Sequence, residues 1–378
     1  MSLLTVGVFG KSRKKQEKRV PIHPDHLMQL DNQVRKNLFF EEGYGIPFGM
    51  SDKEISNLSG GVLQSEELFQ KCDIALLAKP VQKDFEYMKT GAIHWGWPHC
   101  VQQGDITQTA IDKKLTLIAW EAMHSWSETG QWIGHSFNKN NEIAGYAGIQ
   151  HAMNLLGIDG NYGPERKAVV ISFGSVSTGS ILAMQARGIK DISVFTEKGY
   201  NPSAVRLEGV KYFDFIIDNE TNPISQSPKH KGSHIVEELV DADIIVNGIL
   251  QDTDRPLMFV PEEQNNRLKT GCLIVDISCD EGMAFSFARP TSFEDPFFKV
   301  GNINYYAVDH TPSYLWNAAS WEISRSVISY LPEIMRGMEA WKANETIRKA
   351  IEIKEGIIQN PKILSFQNRE ARYPHKIR

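Results

Sequence analysis

Residues 169–183 read Val169-Val-Ile-Ser-Phe-Gly174-Ser-Val-Ser-Thr-Gly179-Ser-Ile-Leu-Ala183, which is an apolar strand, a glycine-containing turn and a helix-compatible run. Dinucleotide-binding folds need this order, because backbone N–H groups at the helix N-terminus must approach a pyrophosphate closely. The fingerprint is imperfect, since Ser172 and Ser177 occupy two of its three glycine positions when Gly174 is the middle one. A tight strand-to-helix turn that binds nothing therefore stays an alternative.

The next strand should carry the residue that reads the adenosine ribose, about 20 residues further on. Thr196 stands at the tip of that strand, followed by Glu197 and Lys198. A carboxylate at the tip would accept from the ribose 2′-hydroxyl and repel a 2′-phosphate, whereas Thr196 beside Lys198 tolerates the phosphate. NADPH is therefore slightly favoured over NADH, and NAD stays open. Thr196 is equally compatible with an ordinary β-branched strand residue.

Strand-like apolar runs alternate with helix-compatible sequence on both sides of this segment. They lie at 3–9, 38–40, 74–77 and 115–119 before it, and at 192–195, 212–217, 243–246 and 272–276 after it. Alternation of this kind predicts βα units and mainly parallel sheets. A long helical stretch rich in small residues, 142–156, separates the two series. At 378 residues the chain is long enough for two domains.

Composition excludes several classes of function. The net charge of −5 gives no positive field to attract nucleic acid, and no apolar run is long enough to span a membrane. The four cysteines have no C-x-x-C spacing and the N-terminus has no basic signal-peptide region, so we expect reduced thiols and a cytoplasmic protein. The expected partners are small molecules; no metal site is predicted, and a homo-oligomer is left open.

Two proton-handling side chains each follow a buried-looking run. Lys79 ends Asp73-Ile-Ala-Leu-Leu-Ala-Lys79, and His99 ends His94-Trp-Gly-Trp-Pro-His99. Taken singly, each also fits a structural role, because a histidine beside tryptophans can be a satisfied core residue. Together they indicate acid–base chemistry.

Eight motifs in order resemble one family, the alanine dehydrogenase and transhydrogenase N-terminal superfamily, particularly its saccharopine-forming and carboxyethylornithine-forming members. They are Glu17-Lys-Arg19-Val-Pro-Ile-His-Pro24, Lys79 with His99-Cys100, Ile118-Ala-Trp-Glu121, Gly174-Ser-Val-Ser-Thr-Gly179, Asn247-Gly-Ile249, Val275-Asp-Ile-Ser-Cys-Asp280, Arg289-Pro-Thr-Ser-Phe-Glu-Asp-Pro296 and Val308-Asp-His-Thr-Pro-Ser313. The resemblance runs from Val6 to about Leu331. Two departures from the family pattern are Ser172, where relatives often have glycine, and Pro80 after Lys79.

The resemblance implies an α/β fold of two Rossmann-like, doubly wound domains flanking a cleft, with the C-terminal helices returning to the first domain. The substrate (catalytic) domain would comprise residues 1–142 plus 310–378, and the dinucleotide-binding domain residues 143–309. The segment from Asn360 to Arg378 is basic and mixed, and we expect it to extend onto another subunit.

The same resemblance implies roles for individual residues. Lys79, His99 and Asp280 would be catalytic, while Arg19 and Glu121 would bind substrate, Arg19 through a bidentate contact with a carboxylate. The NAD(P)H site would be formed by Gly174, Ser175, Val176, Ser177, Gly179, Thr196, Asn247, Ile249 and Asp309.

The expected reaction is hydride transfer at a carbon bearing nitrogen. The leading hypothesis is reductive coupling of an amino acid amine with a 2-oxo acid through an imine, giving a saccharopine- or carboxyethylornithine-type secondary amine, or the reverse reaction. One alternative is an alanine dehydrogenase that uses free ammonia. Another, from a different class, is a nucleotide-binding regulator without catalysis; the presence of Arg19, Lys79, His99 and Asp280 disfavours it.

Overall fold

The structure is a computed structural model that describes residues 3–199, 205–252 and 255–378. The chain divides into two compact units. Unit 1 comprises Met1–Asn138 with Trp316–Arg378, and unit 2 comprises Lys139–Leu315. Each unit contains one large, mainly parallel sheet with helices in its connections, which confirms the predicted α/β class.

The sheet of unit 1 has the strand order β20-β19-β6-β5-β4-β1-β2-β3 within the described residues. Strands β1 to β6 are parallel, whereas β19 runs antiparallel to β6 and β20 antiparallel to β19. The chain order reverses between β1 and β4, which is the switch point of a doubly wound sheet. The strands are β1 Val6–Val8, β2 Leu38–Glu41, β3 Gly61–Leu63, β4 Ile74–Leu76, β5 Ile93–Gly96, β6 Thr116–Ala119, β19 Ile351–Lys354 and β20 Ile357–Ile358, with a separate hairpin of β7 His124–Trp126 and β8 Trp132–His135.

The helices of unit 1 bury one face each against this sheet. In the longest, α9, residues Ile323, Val327, Leu331 and Ile334 are fully buried at three- and four-residue spacing, as an amphipathic helix requires. The α-helices are α1 Asn32–Arg35, α2 Asp52–Leu58, α3 Ser65–Lys71, α4 Gln82–Tyr87, α5 Gly104–Asp112, α9 Trp316–Met335, α10 Met338–Ala343, α11 Glu345–Lys349 and α12 Pro361–Phe366; the 3-10 turns are Pro24–Gln29, Ile46–Phe48 and Trp120–Ala122.

The sheet of unit 2 has the order β12-β11-β10-β9-β13-β15-β18-β17 within the described residues, with antiparallel strands at its two edges. Its switch point lies between β9 and β13. The strands are β9 Lys167–Ile171, β10 Asp191–Glu197, β11 Val210–Ile217, β12 Pro223–Ser225, β13 Ile244–Asn247, β15 Leu273–Asp276, β17 Phe297–Val300 and β18 Ile303–Tyr306, with a small pair of β14 Met258–Val260 and β16 Ala284–Phe285. The helices are α6 Asn138–Leu155, α7 Ser175–Ala186 and α8 Val236–Leu239, with 3-10 turns at Glu262–Arg267 and Thr311–Leu315.

The central strands of unit 2 are buried on both faces. Val169, Val170 and Ile171 of β9 have no exposed surface, nor have Ile244 to Asn247 of β13. Continuous apolar runs are typical of parallel strands covered by helices on both sides. No helix among the described residues has the length and apolar character needed to cross a membrane.

Candidate functional site

The predicted acid–base residues follow neighbouring parallel strands of unit 1. Lys79 comes after β4, His99 after β5 and Glu121 after β6. Since β4, β5 and β6 are adjacent and parallel, their carboxyl ends meet at one edge of the sheet, next to its switch point. Ligands in open α/β sheets bind at that edge.

The structure brings these three side chains together. The Lys79 Nζ lies 2.7 Å from the His99 Nε2. The backbone N–H of His99 donates to the Glu121 Oε1 over 2.8 Å, and the His99 Nδ1 lies 3.7 Å from the same oxygen. One imidazole is thus held between an amine and a carboxyl group, which is an arrangement suited to moving protons.

His99 has an unusual backbone conformation, with φ of +48°. A residue other than glycine in the left-handed region costs about 1 kcal/mol or more, and it persists where the surroundings hold it. The turn that follows supplies part of that support, because the N–H groups of Gln102 and Gln103 both donate to the His99 carbonyl. The constrained turn therefore determines the direction of the His99 side chain.

Glu121 is held in its protonated form near neutral pH. Burial, followed by the negative charge of Glu352, raises its pKa from 4.5 to about 8. Its Oε2 is shielded from solvent and has no hydrogen-bond partner among the described residues, although 29% of the whole side chain is exposed. This carboxyl can therefore carry a proton beside His99.

Glu352 is a site residue that the sequence reasoning missed. It lies on β19, which pairs with β6 through Ile351 opposite Ile118 and Ile353 opposite Leu117, with an irregular register between the two pairs. Its side chain is 7% exposed, and burial raises its pKa. The position of Glu352 between two isoleucines of a strand was a local sign of its burial. Glu121, whose pKa it raises, is 231 positions earlier in the chain, so the sequence did not connect the two.

Ser12 is a second missed residue. It follows β1, and its hydroxyl donates to the Lys79 carbonyl over 2.6 Å. This contact fixes the backbone that carries Lys79. Ser12 lies in the charged run Lys11-Ser-Arg-Lys-Lys-Gln-Glu-Lys-Arg19, whose composition is typical of a solvated loop, so no sequence signal distinguished it.

Arg19 is buried and already bound to a carboxylate. Its Nε and Nη2 donate to the Glu17 Oε1 and Oε2 over 2.8 and 2.6 Å, and its guanidinium lies 5.2 Å from the centre of the Trp97 ring. Trp97 precedes His99 by two residues, so Arg19 lies beside the segment that delivers the imidazole. A substrate carboxylate would therefore replace or join that of Glu17 at this guanidinium.

In unit 2 the predicted nucleotide turn forms as a strand-to-helix connection. Gly174 is the N-cap of α7, and Ser175 and Val176 begin the helix, all three half-buried. Ser172 adopts φ of +76°, a conformation that glycine takes without strain.

Three glycines allow the segments around this turn to approach closely. A Cβ on Gly145 of α6 would lie 1.9 Å from the Val176 carbonyl oxygen, and one on Gly179 would lie 1.8 Å from the Glu142 carbonyl oxygen. A Cβ on Gly248 would lie 2.5 Å from the Ser177 Oγ. Gly179, which is predicted to cradle the pyrophosphate, also allows α7 to pack closely on α6.

The turn fits a dinucleotide. The N-terminus of the 12-residue α7 offers backbone N–H groups, and the buried Ser177 Oγ has no hydrogen-bond partner among the described residues. Gly174, Ser175, Val176 and Ser177 are the residues that would hold the pyrophosphate.

A buried polar network supports the neighbouring strand ends. The Asn247 Nδ2 donates to the Asp276 Oδ1 over 2.9 Å, and the Tyr305 hydroxyl donates to the Asp276 Oδ2 over 2.6 Å. Burial raises the pKa of Asp276 to about 7, against the opposing effect of these hydrogen bonds. Asn247 is fully buried, and its Oδ1 accepts from the Ile249 N–H over 3.3 Å. Its side chain therefore stabilises the 247–249 turn.

The other predicted residues of unit 2 lie at the same edge of the sheet. Thr196 is near the end of β10, and Asp309 is exposed beyond β18. Asp280 follows β15, is half-buried, and has a pKa raised by burial. The half-buried Ile249 follows β13.

Two family models match the chain. The model described as "Alanine dehydrogenase/PNT, N-terminal domain" matches residues 9–132, and the one described as "Alanine dehydrogenase/PNT, C-terminal domain" matches residues 185–361. Together they confirm the resemblance that the motifs indicate.

Individual relatives agree with the models. The chain is 29% identical over 324 residues to an N(5)-(carboxyethyl)ornithine synthase of Clostridium botulinum, covering 82% of this chain and 88% of that protein. It is 22% identical over 369 residues to alanine dehydrogenase 1 of Staphylococcus aureus, covering 94% and 95%.

Solved structures show the same fold. An L-alanine dehydrogenase matches with a TM-score of 0.72 at 18% identity, covering 96% of this chain and 99% of that one. A transhydrogenase from Sinorhizobium meliloti matches with a TM-score of 0.67 at 15% identity, covering 94% and 99%.

Proposed function

Because the chain belongs to the alanine dehydrogenase/PNT family of oxidoreductases, we propose that it reductively couples an amino acid amine with a 2-oxo acid to give a secondary amine, or catalyses the reverse reaction. The observation that carries this proposal is the 2.7 Å contact between the Lys79 Nζ and the His99 Nε2 at the switch point of unit 1. The similarity to a carboxyethylornithine synthase supports the coupling of two substrates.

The proposed reaction needs protons at two atoms. The amine nitrogen attacks the carbonyl carbon of the oxo acid, and the resulting carbinolamine loses water after its oxygen is protonated and its nitrogen gives up a proton. The cofactor that the Gly174 turn would hold would supply the hydride for the imine carbon, and the nitrogen would take up a proton. A histidine in contact with a lysine suits this exchange, because one group can donate while the other accepts.

Glu121 would assist the pair in two ways. Its Oε1 accepts from the His99 N–H and so helps to orient the imidazole, while its shielded Oε2 can present a proton. Arg19 would hold a substrate carboxylate in exchange with Glu17, and Asp280 keeps its predicted catalytic role. These roles are our assignments for the proposed reaction.

We assign the nicotinamide cofactor to the Gly174 turn, with NADPH slightly favoured. Thr196, near the end of β10, carries no negative charge and so would tolerate the 2′-phosphate of NADPH. The exposed Glu197 beside it would repel that phosphate. Comparing kcat/KM for NADPH and NADH tests the preference. A higher kcat/KM for NADH would contradict the assignment of NADPH.

The test of the function is a screen of NAD(P)H oxidation. Pyruvate and 2-oxoglutarate are each combined with ammonia, ornithine or lysine, and the product mass is measured. Oxidation that depends on the amino acid, with a product heavier than either substrate, supports coupling. Faster oxidation with ammonia would refute it.

The second candidate is an alanine dehydrogenase that uses free ammonia. The match to alanine dehydrogenase 1 over 94% of the chain favours it. The Asp309-His310-Thr-Pro-Ser313 segment weighs against it, since it resembles the saccharopine-forming members. Alanine formation from pyruvate and ammonia at the higher rate would establish this candidate.

A further inference from the structure

We infer that Gln367, in the C-terminal segment, is a positioning residue that holds the His99 loop in its working conformation. This inference rests on the proposed function, in which His99 is catalytic. It concerns a part of the chain that the sequence analysis left without a role. Within the chain, this segment packs on unit 1 through Gln367 and Arg369, which contact the loop that follows β5 and the helix α5.

The contact is made to the two residues after His99. The Gln367 Nε2 donates to the Cys100 carbonyl oxygen over 2.7 Å and lies 3.0 Å from the Val101 carbonyl oxygen. The Thr107 hydroxyl also donates to the Cys100 carbonyl, over 2.8 Å. One side-chain amide therefore fixes the orientation of the peptide groups immediately beyond the imidazole.

The orientation of this amide is itself fixed. The Gln367 Oε1 accepts from the Arg369 Nε over 2.7 Å, so the Nε2 must face the loop. Arg369 is 3% exposed, and its Nη1 donates to the Gln108 Oε1 of α5 over 2.8 Å. Gln367 thus belongs to a half-buried network that joins the C-terminal segment to α5 and to the loop.

The backbone conformation of His99 explains why the loop after β5 needs the contact with Gln367. His99 is held in the left-handed region, where a residue other than glycine is unfavourable unless its surroundings keep it there. A relaxed backbone would turn the imidazole away from the Lys79 Nζ and the Glu121 Oε1. Misplacing a catalytic group by about 1 Å can lower the rate about 100-fold.

The test uses Gln367→Glu, which keeps the acceptor for Arg369 and removes the donor to the loop. The control is Gln359→Ala, since Gln359 is exposed in the same part of the chain and its side chain bonds only to the nearby Ile357 carbonyl among the described contacts. We expect kcat to fall about 100-fold in Gln367→Glu. The Kd for NAD(P)H should not change, because neither Gln367 nor the His99 loop is among the residues assigned to the cofactor.

Two further readouts separate positioning from damage to the fold. Hydrogen exchange of peptides covering residues 99–108, measured without substrate, should be faster in Gln367→Glu and unchanged in the control. The pH–rate profile of the variant should also differ from that of the wild type, because the contacts of His99 with Lys79 and Glu121 are altered. Gln367→Ala, measured in parallel, should behave in the same direction.

Wild-type kcat and wild-type exchange at 99–108 in both Gln367 variants would overturn the inference. A kcat loss that matches a reduced folded fraction, with an unchanged pH–rate profile, would also overturn it. The variant His99→Asn separates the two proposals: wild-type turnover there refutes the role of His99 in the proposed function, while loop exchange still decides whether Gln367 holds the loop.

Discussion

Replacing Glu352 with glutamine should reduce the loss of stability of unit 1 at high pH. The charge of Glu352 is, after burial, the next cause of the raised pKa of Glu121. Because folded Glu121 keeps its proton from the ordinary pKa of 4.5 up to about 8, the folded state binds more protons than the unfolded state in that window. Stability is therefore fully present below about pH 4.5 and is lost as the pH rises towards 8.

The size of the effect follows from the pKa of Glu121. One pKa unit corresponds to about 1.4 kcal/mol, so a move from 4.5 to about 8 removes at most about 5 kcal/mol from the free energy of unfolding. Since 29% of the side chain is exposed, solvent screening reduces this to about 2–3 kcal/mol. Burial persists in the variant, so we expect Glu352→Gln to restore about 1 kcal/mol at pH 8 and almost nothing at pH 5.

The assay is urea unfolding at pH 5 and pH 8, followed by tryptophan fluorescence. All 8 tryptophans of the chain lie in the residues of unit 1, so the signal reports on that unit alone. Glu355→Gln is the matched control, because Glu355 is exposed in the same hairpin. The reasoning fails if Glu352→Gln loses as much stability between the two pH values as the wild type does.

Three other substitutions test the two units. His99→Asn should lower kcat by about 10²–10⁴ in steady-state assays, and unchanged turnover would remove His99 from the chemistry. Lys79→Met should lower kcat by a similar factor while the fluorescence-measured Kd for NADPH stays constant, because Lys79 is not among the residues assigned to the cofactor; a changed Kd would contradict that assignment. Gly145→Ala should destabilise unit 2 by about 1–3 kcal/mol in thermal unfolding and weaken NADPH binding, because its Cβ would lie 1.9 Å from the Val176 carbonyl oxygen. Gly104→Ala, whose Cβ has no neighbour nearer than 3.8 Å, should do neither.

The residues at the strand ends were predictable because local sequence determines them. An apolar run followed by Lys79, His99 or Glu121 indicates a strand whose carboxyl end carries that side chain, and adjacent parallel strands then bring the three ends to one edge. The Gly174 turn was predictable for the same reason. The two sheets confirm this part of the interpretation.

The residues that support the site were not predictable in this way. Glu352 reaches Glu121, and Gln367 reaches the His99 loop, only because β19 and the segment after it pack beside β6 and β5. Pairing between segments more than 200 residues apart leaves no periodic pattern in either one. Asn247 shows a related limit, since the sequence does not reveal that its side chain is fully buried and bonded to Asp276.

Arg19 shows that residue type can conceal local pairing. The resemblance implied that Arg19 binds a substrate carboxylate, and the structure contains a guanidinium–carboxylate contact, but to Glu17 two positions earlier. The substrate assignment of Arg19 therefore predicts a competition between two carboxylates.

The return of the chain to unit 1 after residue 315 has a consequence for biosynthesis. Unit 2 is one continuous segment and can fold on the ribosome as soon as residue 315 has emerged, whereas unit 1 must wait for β19 and Gln367. Lys79, His99 and Glu121 are translated early, but Glu352, which raises the pKa of Glu121, and Gln367, which contacts the His99 loop, are translated late. A nascent chain can therefore acquire its nucleotide turn well before its acid–base centre is complete, so cofactor capture would precede catalytic competence during synthesis.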